Sequence, residues 1–145
     1  MIRLMTIEDY AEVYQLWLSC TGMGLNTLDD SQAGIEKFLK RNPTSCFVAV
    51  LDERIVGVIM SGHDGRRGFI YHAAVHPDYR CRGFATQLVD AALAALKAEG
   101  IAKVAFLVFA RNHEGNAFWD RLGFYAREDL VYRDKTLIEF ERIDT

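Results

Sequence analysis

Val75-His76-Pro77-Asp78-Tyr79-Arg80-Cys81-Arg82-Gly83-Phe84-Ala85-Thr86 is the stretch that decides the fold. An apolar run of strand character, residues 69–75, leads into it. A helical pattern over residues 82–99 leads out, with Phe84, Leu88, Ala91, Ala92, Ala95 and Leu96 on one face. Gly100 closes that helix. The stretch is thus a strand that passes through a short loop into a helix N-terminus. Such a terminus presents unpaired N–H groups and the positive end of the helix dipole. Gly83 and Ala85 are small enough to let a phosphate reach the backbone, and Arg80 and Arg82 add charge-assisted donors. The chemistry points to an anion site, of a size suited to a pyrophosphate; a plain turn with a solvated basic flank is the competing reading. Two other phosphate loops are excluded, because there is no G-x-x-x-x-G-K-[ST] and no G-x-G-x-x-G after a strand.

Upstream, Ile2 and Leu4 alternate before Thr6 and Asp9, a near match to a capping box, and apolar residues recur from Ile7 to Trp17 at helical spacing. Asp29, Asp30 and Ser31 precede a second helix carrying Ile35, Phe38 and Leu39, which Asn42-Pro43 stops. Strands over residues 46–51 and 54–61 flank Asp52-Glu53, and Asp64-Gly65 turns into the strand over 69–75, which makes an antiparallel meander. Downstream, residues 103–109 (KVAFLVF) read as a central strand covered on both faces. A short helix over 113–121 ends at Gly123, and weaker strand signals lie near 124–127 and 136–140. The order predicts a mixed α/β layer fold without internal repeats.

The 145 residues, 50% of them hydrophobic, suit one domain spanning 1–145. Seventeen basic against 20 acidic side chains give a net charge of −3, which argues against a nonspecific nucleic-acid binder while leaving room for a local basic patch. No apolar run approaches the roughly 18 residues needed to cross a bilayer, and the N-terminus lacks a signal-peptide core. Cys20, Cys46 and Cys81 form no C-x-x-C, so neither a disulfide framework nor a cysteine zinc site is expected. A cytoplasmic protein with reduced thiols follows as the expectation.

At Arg80, Gly83 and Ala85 the sequence resembles the GNAT superfamily of acyl-CoA-dependent N-acyltransferases, whose signature is [QR]-x-x-G-x-[GA] after an apolar strand. A second block agrees: Asn112, Trp119 seven residues on, then Leu122-Gly123-Phe124. The resemblance covers nearly the whole chain. It implies a mostly antiparallel central sheet of about six or seven strands, about four flanking helices and a splayed central strand pair. It further implies that acetyl-CoA lies in the splay, with backbone groups of Ala73, Ala74 and Val75 on the pantetheine. The loop Arg80, Cys81, Arg82, Gly83, Phe84, Ala85 and Thr86 would hold the pyrophosphate, and Asn112 and Trp119 would lie near the sulfur. A strand N–H, that of Val75, would stabilise the oxyanion. Direct transfer to a primary amine, on a small molecule or a protein N-terminus, needs neither metal nor acyl-enzyme. Many relatives pair through their C-terminal strands, so a homodimer is in keeping with the resemblance, while a nucleic-acid or membrane partner is not expected.

Many relatives carry Tyr where Trp119 stands, and an indole N–H is too weak an acid to protonate a departing thiolate. Tyr71 is the replacement by strand parity, which it shares with Ala73 and Val75; a packed core tyrosine is the alternative. His72 has the chemistry of a base, but its opposite parity aims it at the other sheet face. His63 and Asp64 read either as a hairpin turn or as acceptor-site residues, and Asp29 and Asp30 either as caps or as anions attracting an ammonium group. Because of Trp119, a catalytically weak acetyl-CoA sensor stands as the competing function.

Overall fold

The computed structural model describes residues 1–143. β1 (Ile2–Leu4) runs into a 3-10 turn (Ile7–Asp9) and α1 (Tyr10–Leu18), followed by β2 (Leu25–Asn26), α2 (Gln32–Arg41), β3 (Phe47–Leu51), β4 (Arg54–His63) and β5 (Gly68–Val75). A second 3-10 turn (Pro77–Tyr79) leads to α3 (Phe84–Ala98), β6 (Val104–Phe106), α4 (His113–Arg121) and β7 (Arg142–Ile143). The main sheet has five strands in the order β1-β3-β4-β5-β6, antiparallel except for β5–β6, and β2 pairs with β7 in a separate ribbon. Asp52 and Glu53 both adopt positive φ, 50° and 64°, which gives a two-residue turn the twist that β3–β4 requires without glycine.

One sheet face is sealed by α1 through Val13, Leu16 and Trp17 and by α2 through Ile35, against Val48, Val58 and Ala74. On the other, α3 packs Leu88, Val89 and Ala92 onto Val56, Ile59, Ile70 and Val75, and α4 adds half-buried Phe118 and Trp119. β4 carries both cores, and so its residues from Ile55 to Gly62 are all buried.

Three expectations change. Residues 103–109 form a strand only over Val104–Phe106, at the sheet edge, because pairing with β5 stops there and Leu107 is exposed. No strand forms over 124–127 or 136–140, where every side chain but the half-buried Phe124 lies in solvent; among the described residues the C-terminal chain pairs only at β7, with β2, which no periodicity signals. Of the three cap candidates for α2, Asp29, Asp30 and Ser31, it is Ser31 that caps, its Oγ accepting the Gly34 N–H at 3.0 Å, and neither aspartate does.

The entry to α1 carries a stability prediction. Asp9 accepts the Thr6 N–H at 2.9 Å and pairs with both Arg3 guanidinium nitrogens, at 2.8 and 2.9 Å. The Arg3 hydrogen bond, then the Thr6 N–H, outweigh burial and hold the Asp9 carboxyl below its ordinary range. A depressed folded-state value contributes stability above the unfolded carboxyl's range, near 4, and loses it as pH falls through the lower folded value. Arg3 is 39% exposed, so screening trims the pair, and Asp9→Asn is expected to cost about 2 kcal/mol at pH 7. Urea unfolding at pH 7 and at pH 3 checks this: the gap between variant and wild type should narrow at the lower pH.

Candidate active site

β5 and β6 run parallel only from Gly68, Phe69 and Ile70 opposite Val104, Ala105 and Phe106. Beyond Ile70 the two strands part, which leaves a fork whose narrow end is at Tyr71 and whose wide end is at Val75. His76 N–H bonds the Val56 carbonyl at 2.8 Å, and antiparallel alternation therefore turns the N–H groups of Ala73 and Val75 away from β4, into the fork. Ala74, by the same alternation, spends its main chain on Val58 of β4 and lends the fork only its small size.

At the wide end the chain bends twice through left-handed conformations, Cys81 at φ 62° and Gly83 at φ 86°, before α3 begins at Phe84. Gly83 stands at the N-cap without a side-chain cap, so the first amides of α3 are open to solvent or an anion. Arg82 and Thr86 are exposed beside them, and the Arg82 guanidinium lies 5.3 Å from the Tyr79 ring centroid. Arg80 does something else. Its Nε donates to the Val75 carbonyl at 3.1 Å and its Nη2 approaches Cys20 Sγ at 3.7 Å, which ties the end of β5 to the end of α1.

The narrow end is shaped by a bulge. Met60 pairs with His72 and Ser61 with Ile70, so Tyr71 is the extra residue. Ile70 faces α3, yet Tyr71 stacks edge-on against Phe38 of α2 at 5.4 Å and His72 against Trp17 of α1 at 4.9 Å. The bulge thus overturns the parity argument for Tyr71 and leaves that for His72 standing. Tyr71 lies on the face opposite Val75, and His72 shares that face with it. Tyr71 is 56% exposed. His72 is buried, its Nε2 lies 2.7 Å from Asp30 Oδ1, and its Nδ1 is enclosed without a partner. Asp30 is buried as well, its Oδ2 accepts the Asn26 N–H at 2.8 Å, and its carbonyl takes the Tyr10 hydroxyl at 2.7 Å. Two residues that sequence spacing put in separate roles therefore meet, 42 positions apart.

The remaining candidates scatter. Asp29 is exposed and accepts Asn26 Nδ2 at 3.1 Å within a local turn. His63 and Asp64 sit at the far end of β5 from Val75, beside the last turn of α3, where His63 Nε2 meets Glu99 at 3.2 Å. Asp64 serves its hairpin, its Oδ1 accepting the Arg67 and Arg66 N–H groups, bonds that lower its carboxyl from the ordinary range. Asn112 caps α4 by accepting the Gly115 N–H at 2.9 Å, and Trp119 packs 4.2 Å from Phe106 and 5.2 Å from Phe124. A cavity of about 390 Å³ lies between Thr21 and Gly22 after α1 and the stretch from Phe109 into the first turn of α4.

The comparisons agree with this geometry. Residues 10–124 match the model of the acetyltransferase (GNAT) family. "Acetyltransferase SG1711" of Sodalis glossinidius is 34% identical over 138 residues, 95% of this chain and 96% of its own. "Acetyltransferase YPTB2753" of Yersinia pseudotuberculosis is 32% identical over 140 residues, 97% and 98% of the two chains. Among solved structures, Ard1 from Thermoplasma volcanium superposes with a TM-score of 0.73 at 24% identity, over 85% of this chain and 80% of that one. The aminoglycoside acetyltransferase AAC(6')-Iy in complex with CoA gives 0.72 at 21%, over 94% and 99%. The solved structures establish the fold, and the family match together with the curated relatives extends that to descent: this chain belongs to the GNAT acetyltransferase family.

Proposed function

We propose that this acetyltransferase moves an acetyl group from acetyl-CoA to a primary amine, of a small molecule or a protein N-terminus, by direct attack on the thioester. The fork carries the reading: one continuous path joins the open α3 amides, the free edge of β5 and the exposed Tyr71. Acetyl-CoA supplies an activated acyl thioester and an anionic pyrophosphate. The amides of Gly83 to Thr86, with Arg82, suit the pyrophosphate, and the Ala73–Val75 edge suits the amides of the pantetheine arm. The Ala73 N–H, the fork-facing donor nearer Tyr71, is a fixed donor for the carbonyl oxygen as charge develops on it, while that of Val75 lies further along the pantetheine arm. Arg80 holds Val75 by its own carbonyl, so it serves as a positioning residue.

Tyr71 supplies the proton that the sulfur takes up as the C–S bond breaks, and its exposure lets it recover one from solvent. His72 has one nitrogen on Asp30 and the other closed off, so it holds the bulge in place rather than moving protons. Tyr71→Phe is expected to lower kcat about 100-fold, the low end for a general acid, with acetyl-CoA affinity unchanged. An unaltered kcat removes Tyr71 from that role. The function itself is tested by calorimetry with acetyl-CoA and by thiol release with a panel of amines. Binding without turnover on any amine would favour a sensor, and no binding with no thermal stabilisation overturns the reading.

A further inference from the structure

Tyr71 lies on β5, the second strand in from the β6 edge of the sheet, on a face that two helices otherwise cover, yet more than half of it is exposed. The covering is interrupted beside it. Phe38 of α2 approaches its ring at 5.4 Å, nearly perpendicular at 82°, and Phe69 lies 4.7 Å away on the same strand face, tilted at 46°. Both phenylalanines are half-buried, so each backs the hollow and keeps a rim in solvent. The exposed Tyr132 lies close enough for its hydroxyl to feel that of Tyr71. These rings stand where β5 and β6 part, on the face away from α3 and its amides. The pyrophosphate and the aromatic hollow are therefore at opposite ends and on opposite faces of one fork.

Asp30, the buried carboxylate bonded to the neighbour of Tyr71, is already committed. Asp30 has Oδ1 on His72 and Oδ2 on the Asn26 N–H, which leaves no free oxygen for a second ammonium group. In direct contact with Tyr71 a polycationic acceptor would meet rings in place of acids. Aromatic faces favour an apolar body and attract a single cation through their quadrupole.

We infer that Phe38, Phe69 and Tyr71 form the acceptor subsite, and that it selects a small primary amine carrying one cationic nitrogen on an aromatic or apolar body. This rests on the transfer reading above, so its test has a binding arm that does not need turnover. 2-Phenylethylamine is titrated by calorimetry into protein saturated with CoA, with ethanolamine and spermidine as comparators, and thiol release is measured separately with acetyl-CoA. The aromatic amine should bind at least tenfold more tightly than either comparator. Phe38→Leu, which fills the same core side without a ring, should weaken the aromatic amine about fivefold, leave ethanolamine within twofold, and leave acetyl-CoA affinity unchanged. Equal binding of the three amines overturns the inference, as does an unchanged affinity in Phe38→Leu or tighter binding of spermidine. Absence of thiol release with intact, ring-dependent binding counts against transfer alone and leaves the subsite standing.

Discussion

Gly83→Glu is expected to raise the Kd for acetyl-CoA at least 100-fold, about 2.7 kcal/mol, read by calorimetry. Two effects act together. The new carboxylate would stand at the amides that suit the pyrophosphate, where charge-assisted hydrogen bonds are worth about 1.5–3 kcal/mol each. It also adds like-charge repulsion of about 1 kcal/mol at contact range in water. The protein itself has room for the side chain, since a Cβ at position 83 meets only Gln87 Nε2, at 3.7 Å. The conformational cost is separate: φ is 86° there, and a left-handed L-residue costs about 1–2 kcal/mol. Gly83→Ala carries that strain without the charge, so it should lose under tenfold in affinity while melting as low as Gly83→Glu. If the glutamate variant binds within threefold of wild type, the pyrophosphate does not lie at α3.

How much of this was legible in the sequence depends on the range of the interaction that fixes each feature. The bend into α3 is written locally: Gly83 is needed for its left-handed turn, and the apolar face of residues 84–98 follows from helical spacing. The meander from β3 to β5 was equally readable, because two short turns set it. The bulge at Tyr71 was not. It is fixed by the register between Met60-Ser61 and Ile70-His72, and nothing in the alternation of either strand marks an extra residue. The extra residue puts Tyr71 on the face opposite the one its parity predicts, whereas His72, in unbroken alternation with Ala73 to Val75, keeps its own. The apolar character of 103–109 overstated its pairing for a different reason. Its rings serve helix and loop contacts: Phe106 packs on Trp119 of α4, and Phe109 lies under the Arg111 guanidinium at 4.3 Å. The union of Asp30 with His72 depends on how α1 and α2 fold across the sheet, which no local pattern encodes.

That union leads to the largest expected loss of stability. Asp30→Ala should destabilise the fold by about 3–5 kcal/mol, since it leaves a buried His72 nitrogen and the Asn26 N–H without acceptors. For a chain of this size the melting point should fall by roughly 10 °C. Asp30→Asn should cost less, because an amide oxygen can still accept from His72 and the loss is confined to the Asn26 N–H, which then faces an amide nitrogen that cannot accept. A double-mutant cycle with His72→Gln should return a coupling of about 2 kcal/mol, as two buried hydrogen-bonded partners do. The functional consequence follows from topology. Asp30 joins β5 to the turn before α2, and α2 carries Phe38, whereas the amides of α3 lie on the other face. In Asp30→Asn at a temperature where it is folded, KM for an aromatic amine should therefore rise several-fold while acetyl-CoA affinity stays within twofold. A stability change under 1 kcal/mol, or equal losses for both substrates, would mean that Asp30 does not hold the acceptor side of the fork.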